Sequence, residues 1–322
     1  MAMTATVLIL DKDAQWMCEQ LALACPSLTF LAADSEDKAI CMAGQAQILI
    51  ALAPWITARL VATMPQLTWI HALTTGYDNL LDMTVLAPDV VITNSRGIHG
   101  PQMAELAVLS MLSMARNFPA MLDNQRHHRW ERWPQPLMLG KTVCIIGLGV
   151  IAEALAARSL PFGAVLTGVS DGRRAVDGFS RIYPRREITT AVAEADFVVV
   201  VVPYSEQTHH IIDDAVMTAM KPSAHLVNIA RGGCVDEVAL LHHLDRGAIA
   251  GAALDVFASE PLPADHRFWS HPRVLVTPHI GGMSDVYAEQ VLPLTQDNLC
   301  RFAATGLVDL LNRVPRNPEI VS

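Results

Sequence analysis

No Cys-x-x-Cys pair occurs in this chain, although it carries six cysteines: Cys18, Cys25, Cys41, Cys144, Cys234 and Cys300. They are scattered, and several sit inside apolar runs. That distribution reads as buried free thiols of a reducing compartment, not as a disulfide framework or a zinc site. No apolar run approaches the roughly 20 residues needed to cross a bilayer. The stretch 7–10 is too short for a signal-peptide core and ends at Asp11, so the expected location is cytoplasmic. Excess positive charge is missing too. A formal net charge of −9 speaks against nucleic acid or an anionic membrane as partner. It leaves an anionic small molecule open, because one arginine or helix end can override the global field. Internal repeats, low-complexity segments and long runs of like charge are also absent. The paired histidines (His127-His128, His209-His210, His242-His243) have no second ligand pair at helical spacing and no clustered cysteine, so no metal site is expected.

What is present points to two domains. The chain has 322 residues, enough for two at roughly 150 residues each. Its first section alternates expected strands over 7–10, 48–51, 69–72 and 90–93 with helices over 14–24, 57–64 and 80–87. Short connections and strand–helix alternation imply a parallel sheet covered by helices. Asn94-Ser-Arg-Gly97 breaks that pattern. An apolar helix over 103–115 and a Trp- and Pro-rich arm over 130–136 follow. A second alternating block then places strands over 142–146, 165–169, 197–202, 225–229, 250–254 and 274–277. The run 197–202 is apolar throughout, as in a strand buried on both faces of a doubly wound sheet. The segment 284–304 reads as a long helix that could return to the first domain.

The second block opens on Val143-Cys-Ile-Ile-Gly147-Leu-Gly149. An apolar strand feeds a glycine turn, and a helix begins with Val150 and Ile151. Gly147 permits the tight turn, Gly149 lets the backbone approach a pyrophosphate, and the small Ala152 lets helix and strand pack closely. Unpaired N–H groups and the positive helix end then meet the phosphates.

Ligands of open parallel sheets bind beyond the carboxyl ends of the strands. One exit carries Ile229-Ala230-Arg231-Gly-Gly, the next Asp255 and then Glu260, and the last Pro278-His279-Ile-Gly281. Arg231 can grip a carboxylate in a bidentate fork. His279 can exchange a proton near neutral pH. Glu260 can hydrogen-bond the imidazole and fix its tautomer. Each alone could be an ordinary loop residue; three complementary groups at successive exits of one sheet argue for chemistry.

These stretches resemble the D-isomer-specific 2-hydroxyacid dehydrogenases. The resemblance spans nearly the whole chain and is strongest from Leu139 to Gly282. It rests on Leu139-Gly-Lys-Thr-Val143 before the glycine turn, Val202-Pro203 with Thr208, Asn228-Ile-Ala-Arg231-Gly-Gly, Gly251-Ala-Ala-Leu-Asp255 with Glu260-Pro, and Thr277-Pro-His279-Ile-Gly. It implies a Rossmann nucleotide-binding domain over 97–287, inserted into a flavodoxin-like substrate domain made of 1–96 and 288–322. It implies hydride transfer between NAD(P)H and a small 2-oxo acid, as in glyoxylate/hydroxypyruvate reductases, yielding the D-2-hydroxy acid. Arg231 would bind the substrate, His279 would be the acid/base with Glu260 supporting it, and Asp255 would hold the nicotinamide carboxamide. Thr75 and Gly76 match the loop whose backbone N–H groups meet the substrate carboxylate. A homodimer is the implied assembly.

One departure bears on the cofactor. NAD enzymes place an acidic residue on the adenosine ribose about 20 residues past the turn. Here that strand exits into Ser170-Asp171-Gly-Arg173-Arg174. Ser170 takes the place usual for the acid, and Arg173 or Arg174 could pair with a 2′-phosphate. Asp171 could still take a 2′-hydroxyl. The balance favours NADPH over NADH. Two other readings share the fold: a non-catalytic NAD(P)H-sensing protein and a formate-dehydrogenase-like branch. A short-chain dehydrogenase does not fit, since no tyrosine here begins Tyr-x-x-x-Lys.

Overall fold

The structure, a computed structural model, describes residues 4–315. The chain divides into two compact units. One holds the residues up to Ile98 and those from Ser284 onward; the other is His99–Met283. The sequence boundaries drawn above lie two to four residues from these crossings.

The first unit is built on five parallel strands: β1 (Thr6–Leu10), β2 (Thr29–Ala33), β3 (Ile48–Ala51), β4 (Trp69–Ala72) and β5 (Val91–Asn94). Their order, β2-β1-β3-β4-β5, is the flavodoxin-like doubly wound arrangement. The helix Tyr287–Thr305, from the end of the chain, supplies Val291, Leu299 and Phe302 to a core shared with Val7, Ile9, Met17 and Leu21. Phe302 stacks on the fully buried Trp69, ring centroids 5.6 Å apart. Tyr287 closes the unit by donating its hydroxyl to the Leu73 carbonyl.

The second unit has seven parallel strands: β6 (Thr142–Ile146), β7 (Val165–Val169), β8 (Phe179–Tyr183), β9 (Phe197–Val200), β10 (His225–Asn228), β11 (Gly251–Leu254) and β12 (Val274–Val276). Their order is β12-β11-β10-β9-β6-β7-β8, a Rossmann sheet extended by one strand. Side chains of a strand alternate between faces. Val198 and Val200 accordingly enter one core with Cys144 and Leu226, and Val199 enters another with Val143 and Val227. Both faces are covered, which is why the run is apolar throughout.

Two strands were not legible beforehand. β2 and β8 are edge strands with one neighbour each. β8 carries Ser180 and Arg181 and so shows no apolar run, whereas Phe30–Ala33 of β2 is apolar but too short to be told from a buried helix segment by periodicity. The helix expected over 80–87 is only Asp78–Leu81, because β-branched Thr84 and Val85 and then Pro88 oppose its continuation. The one over 57–64 is likewise the single turn Ala58–Val61. The apolar helix starts earlier than expected, at Gly100, with Pro101 at its first turn. A further helix, Phe118–Arg126, precedes the arm.

Candidate functional site

The glycine turn joins β6 to the helix Val150–Ser159. Gly147 sits at φ +98°, and a Cβ there would lie 2.7 Å from Val202 Cγ1, so only glycine fits. Gly149 is different. Nothing lies within 4 Å of where its Cβ would project, and the opening N–H groups of the helix, from Val150 and Ile151 onward, have no intrahelical partner. That clear space before a helix end is what a pyrophosphate requires. A cleft of about 190 Å³ leads from Gly147 past Val202 to Ser170 and Asp171. The residues present therefore fit a dinucleotide.

The strand exits hold the other groups. Buried Asn228 shapes the first: its side-chain oxygen accepts from the Ala230 N–H at 3.1 Å and its amide donates to the Arg231 carbonyl at 2.9 Å. Ile229 and Ala230 are buried beneath this turn. Gly232 packs so tightly on the next loop that a Cβ would fall 1.9 Å from the Phe257 carbonyl carbon. The Arg231 turn and the Glu260 loop are thereby locked together. Glu260 accepts from the Phe257 N–H at 2.9 Å, and its Oε2 lies 2.6 Å from His279 Nδ1. Burial alone would raise the Glu260 carboxyl. The hydrogen bonds from His279 and Phe257, with the nearby charge of Arg231, outweigh burial and hold it below its ordinary range.

Asp255 is nearly inaccessible, and both its oxygens face the His279 loop. Oδ1 accepts from the Thr277 hydroxyl at 2.5 Å and the Ile280 N–H at 3.0 Å; Oδ2 accepts from the Gly281 N–H at 2.9 Å. The Asp255 carbonyl accepts from the His279 N–H at 2.8 Å. These bonds hold His279 at φ +53°, a left-handed backbone conformation uncommon for non-glycine residues. Pro203 and Thr208 form one loop beyond β9, with the Thr208 hydroxyl donating to the Pro203 carbonyl at 2.7 Å.

His99 was not singled out by the sequence. It is buried at the start of the second unit, and its imidazole faces Gly282. Burial, then the charge of Arg231, push it down to about 4. Arg231 thus acts electrostatically on both Glu260 and His99. No motif marks a lone histidine in a connecting loop.

Thr75 and Gly76 lie in the first unit, just beyond β4. Thr74 donates to the Gly76 carbonyl at 2.6 Å and Asn94 to the Thr75 carbonyl at 2.8 Å, so the turn is held internally.

The side chains of the two expected phosphate arginines have protein partners, Arg173 on the glycine turn and the helix after it, Arg174 within its own loop. Arg173 contacts the Leu148 carbonyl at 3.2 Å and Glu153. Arg174 donates to the Ser170 carbonyl at 2.9 Å, and the Ser170 hydroxyl accepts from the Arg173 N–H at 3.1 Å. Asp171 and Arg185 lie on the cleft. The histidine pairs have local partners: His243 meets Asp214 at 2.8 Å, His209 meets the Tyr204 hydroxyl at 3.0 Å, and His127 meets the Asp123 carbonyl at 2.9 Å. Among the described residues, no group of His, Cys, Asp and Glu could hold a metal ion, and no helix is long and apolar enough to cross a membrane.

A buried parallel sheet with a glycine turn at its carboxyl edge, and a hydrogen-bonded histidine–glutamate pair on the same edge, is the arrangement expected of dinucleotide-dependent oxidoreductases. Comparison with known proteins narrows it. Residues 108–281 match the family model described as D-isomer specific 2-hydroxyacid dehydrogenase, NAD binding domain. The glyoxylate/hydroxypyruvate reductase B of Klebsiella pneumoniae is 32% identical over 277 residues, covering 83% of this chain and 82% of that protein. A D-isomer specific 2-hydroxyacid dehydrogenase family protein from Aeromonas salmonicida has a crystal structure matching at a TM-score of 0.88 and 32% identity, over 97% of this chain and 99% of that one. A second such dehydrogenase, from Xanthobacter autotrophicus and solved in complex with NADPH and MES, matches at a TM-score of 0.81 and 26% identity, over 98% and 99%. The chain belongs to the D-isomer-specific 2-hydroxyacid dehydrogenase family, whose members are NAD(P)-dependent enzymes.

Proposed function

We propose that this enzyme reduces a small 2-oxo acid of the glyoxylate or hydroxypyruvate type to its D-2-hydroxy acid, with NADPH preferred over NADH. The observation that carries the reading is the 2.6 Å contact between His279 and Glu260, on the same sheet edge as Arg231. When bound, the reduced nicotinamide supplies the hydride. Glu260 accepts from Nδ1 of His279, which leaves Nε2 to carry the transferable proton. As the carbonyl carbon is reduced, negative charge grows on its oxygen; Arg231 stabilises that charge and His279 Nε2 delivers the proton. Asp255 keeps the His279 loop in register. The first unit is the substrate-binding unit in this reading, and the Thr75–Gly76 turn offers backbone N–H groups to the substrate carboxylate. The assembly is a homodimer.

A spectrophotometric panel of 2-oxo acids, each with NADH and with NADPH, tests the proposal. Turnover of glyoxylate or hydroxypyruvate is expected, and His279→Ala should slow it at least ~100-fold. Cofactor binding without turnover of any 2-oxo acid would overturn the reading in favour of a nucleotide sensor.

A further inference from the structure

The cleft beyond the glycine turn has an apolar wall, Val202 and Ile211, and a polar end at Ser170, Asp171 and Gly172. Among the described residues lining it, Arg185 is the one cation. It stands just past edge strand β8 and opens the short turn Arg185–Glu187. Its backbone N–H donates to Asp171 Oδ1 at 2.9 Å, and its Nε faces Asp171 Oδ2 at 3.5 Å. Its Nη1 donates to the Gln207 carbonyl at 3.1 Å. A guanidinium carries five N–H donors, and these contacts leave over the Nη2 pair and one N–H of Nη1.

We propose that Arg185 reads the 2′ position of the dinucleotide's adenosine and selects a 2′-phosphate, with Asp171 as its counterweight. This rests on the NADPH preference proposed above. Arg173 turns onto the Leu148 carbonyl and Glu153, and Arg174 onto the Ser170 carbonyl, whereas Arg185 lines the cleft. Asp171 alone would accept a 2′-hydroxyl and repel a phosphate. Paired with Arg185, its charge is offset. The pair is exposed, at 37% and 56% for the two side chains, so exchanging the carboxylate for a phosphate on the guanidinium costs little, while a phosphate can take two parallel N–H bonds.

Calorimetric titration with 2′,5′-ADP and with 5′-AMP, fragments without a nicotinamide, tests this. The unmodified enzyme should bind 2′,5′-ADP at least ~10-fold more tightly, as expected for a charge-assisted phosphate contact. Arg185→Gln should bring the two ligands within about twofold without weakening 5′-AMP, and Arg185→Lys should restore part of the difference through its point charge. Asp171→Asn should tighten 2′,5′-ADP further, and Arg173→Gln should leave the preference in place. An intact preference in correctly folded Arg185→Gln would overturn the role of Arg185 while leaving the NADPH reading standing. A preference for 5′-AMP in the unmodified enzyme would overturn the NADPH reading itself.

Discussion

His279 Nδ1 and Glu260 Oε2 approach to 2.6 Å, just short of the usual N–H···O range and in the direction that charge assistance shifts it. The carboxylate thereby engages Nδ1 and leaves Nε2, the nitrogen that the proposed mechanism uses. Glu260→Gln keeps the shape and removes the charge. A fall in kcat of at least ~10-fold is expected, with a smaller change in KM. Steady-state kinetics showing an unchanged kcat would remove Glu260 from the proton-transfer apparatus.

The same pair ties stability to pH. Glu260 is held below its ordinary value of 4.5. Its ionised form therefore stabilises the fold in full above that value, and the contribution fades as pH falls through the lower folded-state value. Thermal melts of Glu260→Gln should lose part of their acid-limb slope; curves parallel to those of the parent would show the pair to be energetically neutral.

Buried histidines act in a neighbouring window. Burial pushes His71, wholly enclosed with Nδ1 2.8 Å from the Thr93 hydroxyl, down to about 4 from an ordinary 6.5. The unfolded chain takes up that proton first. The stability gained by burying His71 neutral is thus complete above 6.5 and is lost as pH drops from 6.5 towards 4. His71→Asn should flatten the melting curve over that interval, and an unaltered slope would count against the assignment.

The two turn glycines should fail in different ways. Gly147→Ala meets Val202 and an unfavourable φ, so it should lower stability by about 1–3 kcal/mol. Gly149→Val meets no protein atom at its Cβ, so its melting temperature should hold while NADPH affinity drops at least ~10-fold, because the side chain occupies the phosphate space. Tight NADPH binding by folded Gly149→Val would move the phosphates elsewhere.

Asp255→Asn replaces an acceptor that faces the Gly281 N–H with a group that can itself donate. A loss of about 1–3 kcal/mol is expected for the unsatisfied bond, together with reduced kcat as the His279 loop shifts. Melting and single-turnover assays separate the two effects; a stable variant with normal chemistry would show that the buttress is dispensable.

How much was readable beforehand depended on burial. Phe197–Val200 and the other central strands are apolar on both faces, and period and composition expose them directly. Phe179–Tyr183 is a polar edge strand, and missing it hid Arg185, which sits just past its end. The glycine turn and the exits bearing Arg231, Glu260 and His279 were legible because short strands deliver their loops to one edge. His99 was not, since its significance arises from burial beside a charge far away in sequence. The engagement of Arg173 with Glu153 was equally hidden, because a run of charged residues says nothing about which of them turn inward.

The return of the last helix to the first unit has a consequence for synthesis. The cores of the second unit draw only on residues between His99 and Met283, so that unit can complete itself while the chain is still emerging from the ribosome. The layer around Val7, Met17 and Leu21 needs Val291, Leu299 and Phe302, which are translated only after the whole second unit. The apolar side of the helix Ala14–Ala24 that they cover must therefore wait while the second unit is made. That places a period of aggregation risk before the helix Tyr287–Thr305 emerges and makes its docking the step that ends it.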